Sequence, residues 1–344
     1  MKIFRGIYRL SKTFADTGVR LSVLDLVPIV QGNTAADALR NSLDLAQHVE
    51  NWGYHRYWLA EHHNMPGIAS SATSVVIAHI AAGTQKIRVG SGGIMLPNHS
   101  PLMIAEQFGT LESLFPGRID LGLGRAPGSD HATMRAIRRG LQQDGDDFPE
   151  LLNELQQYFE SHGEERRVRA IPGEGLSIPI WLLGSSDFSA RLAARLGLPF
   201  AFASHFSPGY LLYAIQQYRQ LFQSSSAEAK PYVMVGANVI VAESDEEAKF
   251  LATSMQQQVL SLIRGKPGQL PPPVENIDEL WNPMEKAALE ERARYTFIGT
   301  LSTVEAKILD FIRETSADEI IISSSIYSHS ARVESYRRLG KLLQ

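Results

Sequence analysis

The sequence predicts an α/β fold, a closed (β/α)8 barrel of the TIM type, and three observations carry that expectation. Eight short apolar runs alternate with longer helical patterns along almost all of the 344 residues. The runs are apolar on both faces and are joined through helices, as parallel strands beneath a helical layer must be. Polar residues collect where the runs end. The rival arrangement, an open doubly wound sheet, lacks its glycine fingerprint and downstream acid after the first strand here. One domain, residues 1–344, holds all eight units, with insertions after strand four and strand seven.

In chain order the strands are RLSVLDLVPI from Arg20, HRYWLAEH from His55, IRVGSGGIML from Ile87 and RIDLGLGR from Arg118, then IPIWLLGSS from Ile178, LPFAFASHF from Leu198, YVMVGANVIV from Tyr232 and DEIIISSSIY from Asp318. Helix signals follow each. Thr34 with Asp37 reads as a capping box, and so does Ser244 with Glu247. Ser100-Pro101 and Ser207-Pro208 each put a capping hydroxyl before a proline suited to a first helical turn. Leu39, Leu43, Ala46 and Trp52 fall near one helical face, and Gly53 supplies the stop.

Two stretches break the alternation. APGSDHATMRAIRRGLQQDGDD separates strand four from its helix, and residues 264–294 contain prolines that exclude continuous helix or sheet. Long loops of this kind are lids in some barrels and plain surface excursions in others.

Hydrophobic residues make up 44% and charged residues 20% of the chain, enough to bury a large core. The formal charge of -4 and thinly spread basic residues argue against nucleic acid and anionic membranes as partners. The densest basic cluster, Arg135, Arg138 and Arg139, reads as a solvated helix face. With no cysteine there can be no disulfide, thiolate metal site or cysteine nucleophile. No run approaches the roughly 20 apolar residues of a bilayer span, and Met1 to Lys12 lack a secretory pattern. A cytoplasmic protein is expected.

Barrels of this type build their sites at the carboxyl ends of the strands. Those ends carry Glu61, His62 and His63; Asn98 and His99; Arg125; Ser185 and Ser186; Ser204 and His205; and Ser323 to Ser325. His62 and His63 could be metal ligands, a structural pair or acid/base groups. Neighbours on an extended strand point to opposite faces, and no H-x-H or H-E-x-x-H accompanies them, which counts against a metal. An imidazole moves protons near neutral pH, and Glu61 could orient it or be a buried hydrogen-bond anchor. Gly184, Ser185 and Ser186 lead from a strand into a helix, where free N–H groups and hydroxyls suit a phosphate or simply cap the helix. Arg125, ending LGLGR, adds a guanidinium able to pair with phosphate. Gly90, Gly92 and Gly93 inside a strand imply a bend, close packing or a flat ligand.

Taken together these segments resemble the bacterial luciferase-like flavin monooxygenases, especially the single-chain alkanal monooxygenase-like branch. YWLAEHH, VGSGGIMLPNHSPLMIAEQFGTLESLFPGRIDLGLGRAPGSD and WLLGSSDFSARLAARLGLPFAFASHF carry the resemblance in order and spacing, and it covers nearly the entire chain. It implies a (β/α)8 barrel, frequently a homodimer, that takes reduced FMN from a separate flavin reductase and reacts it with dioxygen, through a peroxyflavin, to oxidise a small organic substrate. His62 then corresponds to the family's catalytic histidine, with Glu61 beside it. Arg125, Gly184, Ser185, Ser186 and Ser189 match the FMN-phosphate region, and Gly92 and Gly93 match the place of a non-prolyl cis peptide behind the flavin ring.

Two departures limit the transfer. Gly124 stands where the luciferase catalytic subunit has cysteine, and the Pro-rich insertion differs in composition from its mobile loop, so neither light emission nor a long-chain aldehyde is implied. Deazaflavin-dependent oxidoreduction, a non-catalytic flavin-binding protein and a metal-dependent hydrolase are the alternatives.

Overall fold

Each of the eight apolar runs contains a parallel strand in the computed structural model, which describes residues 13–126, 130–138, 147–161, 167–224 and 230–344. In chain order the strands are β1 (Arg20–Asp25), β2 (Arg56–Leu59), β3 (Arg88–Ser91), β4 (Ile94–Met95), β5 (Ile119–Gly124), β6 (Ile180–Gly184), β7 (Phe200–Phe202), β8 (Val233–Val241), β9 (Thr296–Gly299) and β10 (Glu319–Ser323). The register Arg20↔Glu319 joins β1 to β10, and Glu319↔Met234 joins β10 to β8. The sheet therefore closes in the order β1-β2-β3-β5-β6-β7-β8-β10. The two remaining strands were not separated in the sequence reading. β4 continues the β3 run beyond Gly92 and Gly93 and pairs with β5, while β9 pairs in parallel with the carboxyl end of β8.

Two-residue alternation explains why the runs are apolar throughout. Leu21, Val23, Tyr57, Leu59, Leu121 and Val235 point outward and are buried beneath the helices. Leu24, Trp58, Trp181, Ala201, Met234 and Ile321 point inward and form a separate apolar layer inside the barrel.

Beneath that layer, at the amino end, the interior is ionic. The Arg56 guanidinium donates to Asp120 at 2.7 Å and to Glu319 at 2.9 Å, and Arg88 donates to Asp120 at 2.6 Å. Ser22 and Tyr232 also donate to Glu319. Burial raises the Glu319 carboxyl, and Arg56 beside it only partly offsets that. Arg56 lies 4.6 Å from the Trp181 ring centroid, and Trp58 meets Trp181 edge to face.

The helices are α1 (Ala35–Asn51), α2 (Thr73–Ala82), α3 (Pro101–Leu114), α4 (His131–Arg138), α5 (Phe148–Phe159), α6 (Asp187–Leu196), α7 (Leu211–Leu221), α8 (Asp245–Ile263), α9 (Pro283–Arg292), α10 (Leu301–Thr315) and α11 (His329–Gly340). Thr34 and Asp37 form the expected capping box, and Gly53 follows α1 at φ 86°. The buried stripe of α1 is Ala38, Ser42, Leu45, Ala46 and Val49, however. Leu39, Leu43 and Trp52 lie at its partly buried margin, because small residues let the helix approach the barrel closely.

Other caps differ from expectation. Ser244 accepts from Glu247 N, but the Glu247 carboxylate reaches Glu243 N, which leaves a half box. Ser100 precedes Pro101 without a side-chain cap bond, and α7 starts at Leu211, three residues beyond Pro208.

The segment after β5 contains α4. Of the basic cluster, Arg135 is exposed as a solvated face requires, Arg138 is instead buried and donates to Asn98, which corrects the reading there, and Arg139 lies outside the described residues. The Pro-rich insertion holds a single 3-10 turn, Ile277–Glu279, before α9, where Asn282 forms a capping box ahead of Pro283. It is fastened across the β1–α1 loop: Leu270 donates to Ile29 O at 3.0 Å and accepts from Gln31 N at 2.9 Å. Gln257 of α8 donates to Pro272 O.

Candidate active site

Strand ends place the predicted polar groups around one mouth, but with partners the sequence did not disclose. Glu61, two residues beyond Leu59 at the end of β2, is buried. Its Oε1 accepts from His63 Nε2 and His99 Nε2, both at 2.9 Å, and its Oε2 accepts from Met95 N at 3.1 Å. Glu61 is thus a clamp between the β2 loop, β4 and the segment leading to α3, with His63 and His99 as its imidazole partners. A carboxylate only accepts, so both rings carry hydrogen on Nε2.

Burial alone would raise the Glu61 carboxyl, but the hydrogen bonds from His63 and His99 outweigh it and hold its pKa down to about 2. A folded-state value below the ordinary 4.5 means that the clamp stabilises the fold above pH 4.5, and that this contribution is lost as pH falls through about 2. The contribution is about 3 kcal/mol at neutral pH. The stability gap between wild type and Glu61→Gln, read from denaturant midpoints in acid steps below pH 4.5, should therefore narrow; a constant gap would sink the clamp.

His62 follows directly and is half-buried, with its N–H donating to Ser70 O at 3.1 Å. Ser70 and Thr73 in turn donate to Ala60 O, which fixes the turn from which His62 projects. His205 follows β7, the strand opposite β2 in the barrel, and burial lowers its pKa to about 4.

The peptide between Gly92 and Gly93 is cis, at the position the resemblance singled out. Each glycine also has a packing reason. A Cβ on Gly92 would lie 2.7 Å from Leu24 Cδ1, and one on Gly93 would lie 2.8 Å from Gly122 O. Gly92 is thus packed against the β1 side chain Leu24, and Gly93 against the backbone of β5.

The anion-type donors form a second group. Gly124 and Leu183 are partners in the β5–β6 register, which brings Arg125 beside the start of α6. Its guanidinium lies 4.3 Å from the Phe188 ring centroid. Ser186 is the N-cap of α6 without a side-chain cap bond, so its hydroxyl is not spent on capping the first-turn N–H groups. Ser189 is buried instead, and a Cβ on Gly184 would lie 2.6 Å from its Oγ. Ser189 shapes the turn rather than lining its surface. Asp187 in the first turn is paired with Arg191 at 3.1 Å, which moderates its charge.

Asp25 anchors a third group at the end of β1. It accepts from Tyr57 at 2.5 Å, Arg332 at 2.7 Å and Val27 N at 2.9 Å. Val27, β-branched, sits at φ 53°, a strained conformation that these bonds enforce. Composition and spacing gave no signal for this cluster. Among the described residues, no group of three or more His, Asp or Glu side chains could hold a metal ion, and no helix is long and apolar enough to cross a membrane.

Comparison with known proteins matches this architecture to one family. The family description luciferase-like monooxygenase fits residues 19–340. A Bacillus subtilis protein, YvbT, is 59% identical over 317 residues, 92% of this chain and 94% of its own. An Escherichia coli (strain K12) luciferase-like monooxygenase is 53% identical over 321 residues, 93% of this chain and 96% of its own. Among solved structures, apo-MsnO8 superposes with a TM-score of 0.87 at 34% identity, covering 94% of this chain and 98% of that one. Two distant structures share the fold with different cofactors. The oxygenating constituent of 3,6-diketocamphane monooxygenase of Pseudomonas putida, in complex with FMN, has a TM-score of 0.70 at 17% identity and covers 94% of this chain and 97% of that one. An F420-dependent secondary alcohol dehydrogenase has a TM-score of 0.67 at 13% identity and covers 95% and 99%.

Proposed function

This chain belongs to the luciferase-like monooxygenases, and from that premise we propose that it is a two-component oxygenase that takes reduced FMN from a flavin reductase and oxidises a small organic substrate. The observation that carries this reading is the convergence of Arg125, Ser185, Ser186 and the uncapped start of α6 beside the barrel mouth. Guanidinium, hydroxyls and helix N–H groups are the donor set a phosphate monoester needs, so the residues present fit the FMN phosphate. When bound, the reduced flavin supplies the electrons that activate dioxygen.

The chain's own groups do the rest. Arg125 and the Gly184–Ser186 turn hold the phosphate, with Ser189 beneath them. Gly92 and Gly93 leave the β3–β4 wall without side chains for a flat ring to lie against. His62 holds or moves a proton at the reacting centre, and Glu61 fixes the wall from which His62 projects. The barrel, the apolar layer below and the insertion across the β1–α1 loop limit water. Homodimerisation and a cytoplasmic location belong to the same reading.

Mixing the anaerobic protein with reduced FMN and then with oxygenated buffer tests the function. Reoxidation through a spectrum distinct from reduced and oxidised flavin supports it; decay at the rate of free flavin overturns it. Tighter binding of a reduced deazaflavin than of reduced FMN would favour hydride transfer instead. Arg125→Ala should weaken reduced-FMN binding about 10- to 100-fold, since a charge-assisted bond contributes roughly 1.5–3 kcal/mol. Riboflavin lacks the phosphate, so its affinity should change little; an equal loss for both ligands would remove Arg125 from the phosphate site.

A further inference from the structure

Gly90 and Gly92 leave the inner side of β3 without side chains, and an indole fills the space. A Cβ on Gly90 would lie 2.9 Å from Trp58 Nε1, and one on Gly92 would lie 3.2 Å from Trp58 Cε3, so the ring runs along both glycines. Trp58 is the first of three aromatic rings in contact. Its centroid is 5.2 Å from that of Trp181, and Trp181 lies 5.4 Å from Tyr232, both pairs edge to face. Trp58 and Trp181 are buried, whereas Tyr232 is half-buried and immediately precedes β8, at the amino end of the barrel. The rings lead from the wall assigned to the flavin, through the interior layer, to the opposite end.

A buried indole or phenol needs some acceptor, and here each acceptor is a buried carboxylate. Trp58 Nε1 donates to Asp120 at 3.2 Å, and the Tyr232 hydroxyl donates to Glu319 at 2.9 Å. Removing one electron from an indole leaves a cation, and removing one from a phenol releases its proton. Asp120 stands beside the first charge and Glu319 in line to take the second. Arg56 lies between them, 4.6 Å from the Trp181 centroid, where its own charge over the ring disfavours a resting cation. Trp181 therefore passes charge on and does not hold it.

We propose that Trp58, Trp181 and Tyr232 form an electron relay that carries an oxidising equivalent out of the site. A one-electron oxidant of the reactive-oxygen class, formed at the mouth, takes an electron from Trp58; Trp181 refills Trp58, Tyr232 refills Trp181, and the Tyr232 phenol passes its proton to Glu319. The net change is one electron gained by the oxidant, a neutral phenoxyl radical at Tyr232 and one proton on Glu319. Oxidation is thereby moved away from the groups around the mouth. The path does not depend on the function proposed above, whereas its use as an outlet rests on it.

Flash photoionisation at the red edge of indole absorption tests the path without flavin. The chain has four tryptophans, so Trp52→Phe with Trp281→Phe leaves Trp58 and Trp181 as its indoles. In this parent the indole radical should decay as a tyrosyl absorption rises, at a rate independent of protein concentration. Adding Tyr232→Phe keeps a ring in place and leaves Glu319 with Arg56 and Ser22, yet it should abolish that rise and prolong the indole radical. An unchanged tyrosyl rise in the Tyr232→Phe variant, or an indole radical that decays without one in the parent, overturns the relay. During repeated reoxidation of reduced FMN by dioxygen, Tyr232→Phe should accumulate oxidised Trp58 faster than the wild type, read by peptide mass spectrometry; equal accumulation overturns the outlet. If the wild type leaves reduced FMN to decay at the free-flavin rate, the functional reading fails and the flash experiment still decides the relay.

Discussion

Arg56→Met is expected to destabilise the fold by about 3–5 kcal/mol, because it leaves a buried carboxylate without its cation. Arg56 bridges Asp120 and Glu319, both fully buried, and each carboxylate would respond differently to its loss. Asp120 keeps Arg88, whereas Glu319 keeps only the neutral donors Ser22 and Tyr232 among the described residues. Burial already raises the Glu319 carboxyl with Arg56 present, so without it Glu319 takes up a proton to stay inside. The melting temperature should fall by roughly 5 °C. Adding Glu319→Gln removes the unpaired charge and should recover part of the loss. A double variant no more stable than the single one would show that lost packing against Trp58 and Trp181, not charge, accounts for the effect.

His62→Ala carries the largest expected effect on activity, a loss of oxygenation of about 10²-fold or more, the range for removing a positioned proton-transfer group. The side chain projects from a turn fixed by Ser70 and Thr73 at the end of β2. It is remote in role from Arg125 and the α6 start, so reduced-FMN affinity should survive the substitution. Parallel measurement of the reduced-flavin dissociation constant and of turnover separates the two effects. Normal turnover in His62→Ala removes it from the chemistry; lost flavin binding reassigns it to the cofactor cradle.

How much of this was legible followed from which forces leave a periodic signature. All eight barrel strands were readable, since burial on two faces writes a continuous apolar run. β9 was not, because TFIG is brief and follows two 3-10 turns and α9 in a segment dominated by prolines. The Gly92–Gly93 step was visible as a composition anomaly, although its packing against Leu24 and Gly122 was not. The Glu61–His63 stretch was visible too, but its partners were not. Of the two roles open to Glu61, orienting the imidazole or serving as a buried hydrogen-bond anchor, the fold shows the anchor, on His63 and on His99, which lies 38 positions from it. Buried ions were the least legible feature. Nothing in IRVG, RIDLG or DEIII marks Arg88, Asp120 or Glu319 as interior, because a charge that is paired in three dimensions looks like a surface charge in one.

Among the described residues, the ionic plug and the indole layer above it fill the amino end of the barrel. On the function proposed above, cofactor and organic substrate would then both approach from the carboxyl ends of the strands, where the insertion is fastened at Leu270 to the β1–α1 loop. Two guests that share one approach enter in turn, the deeper one first.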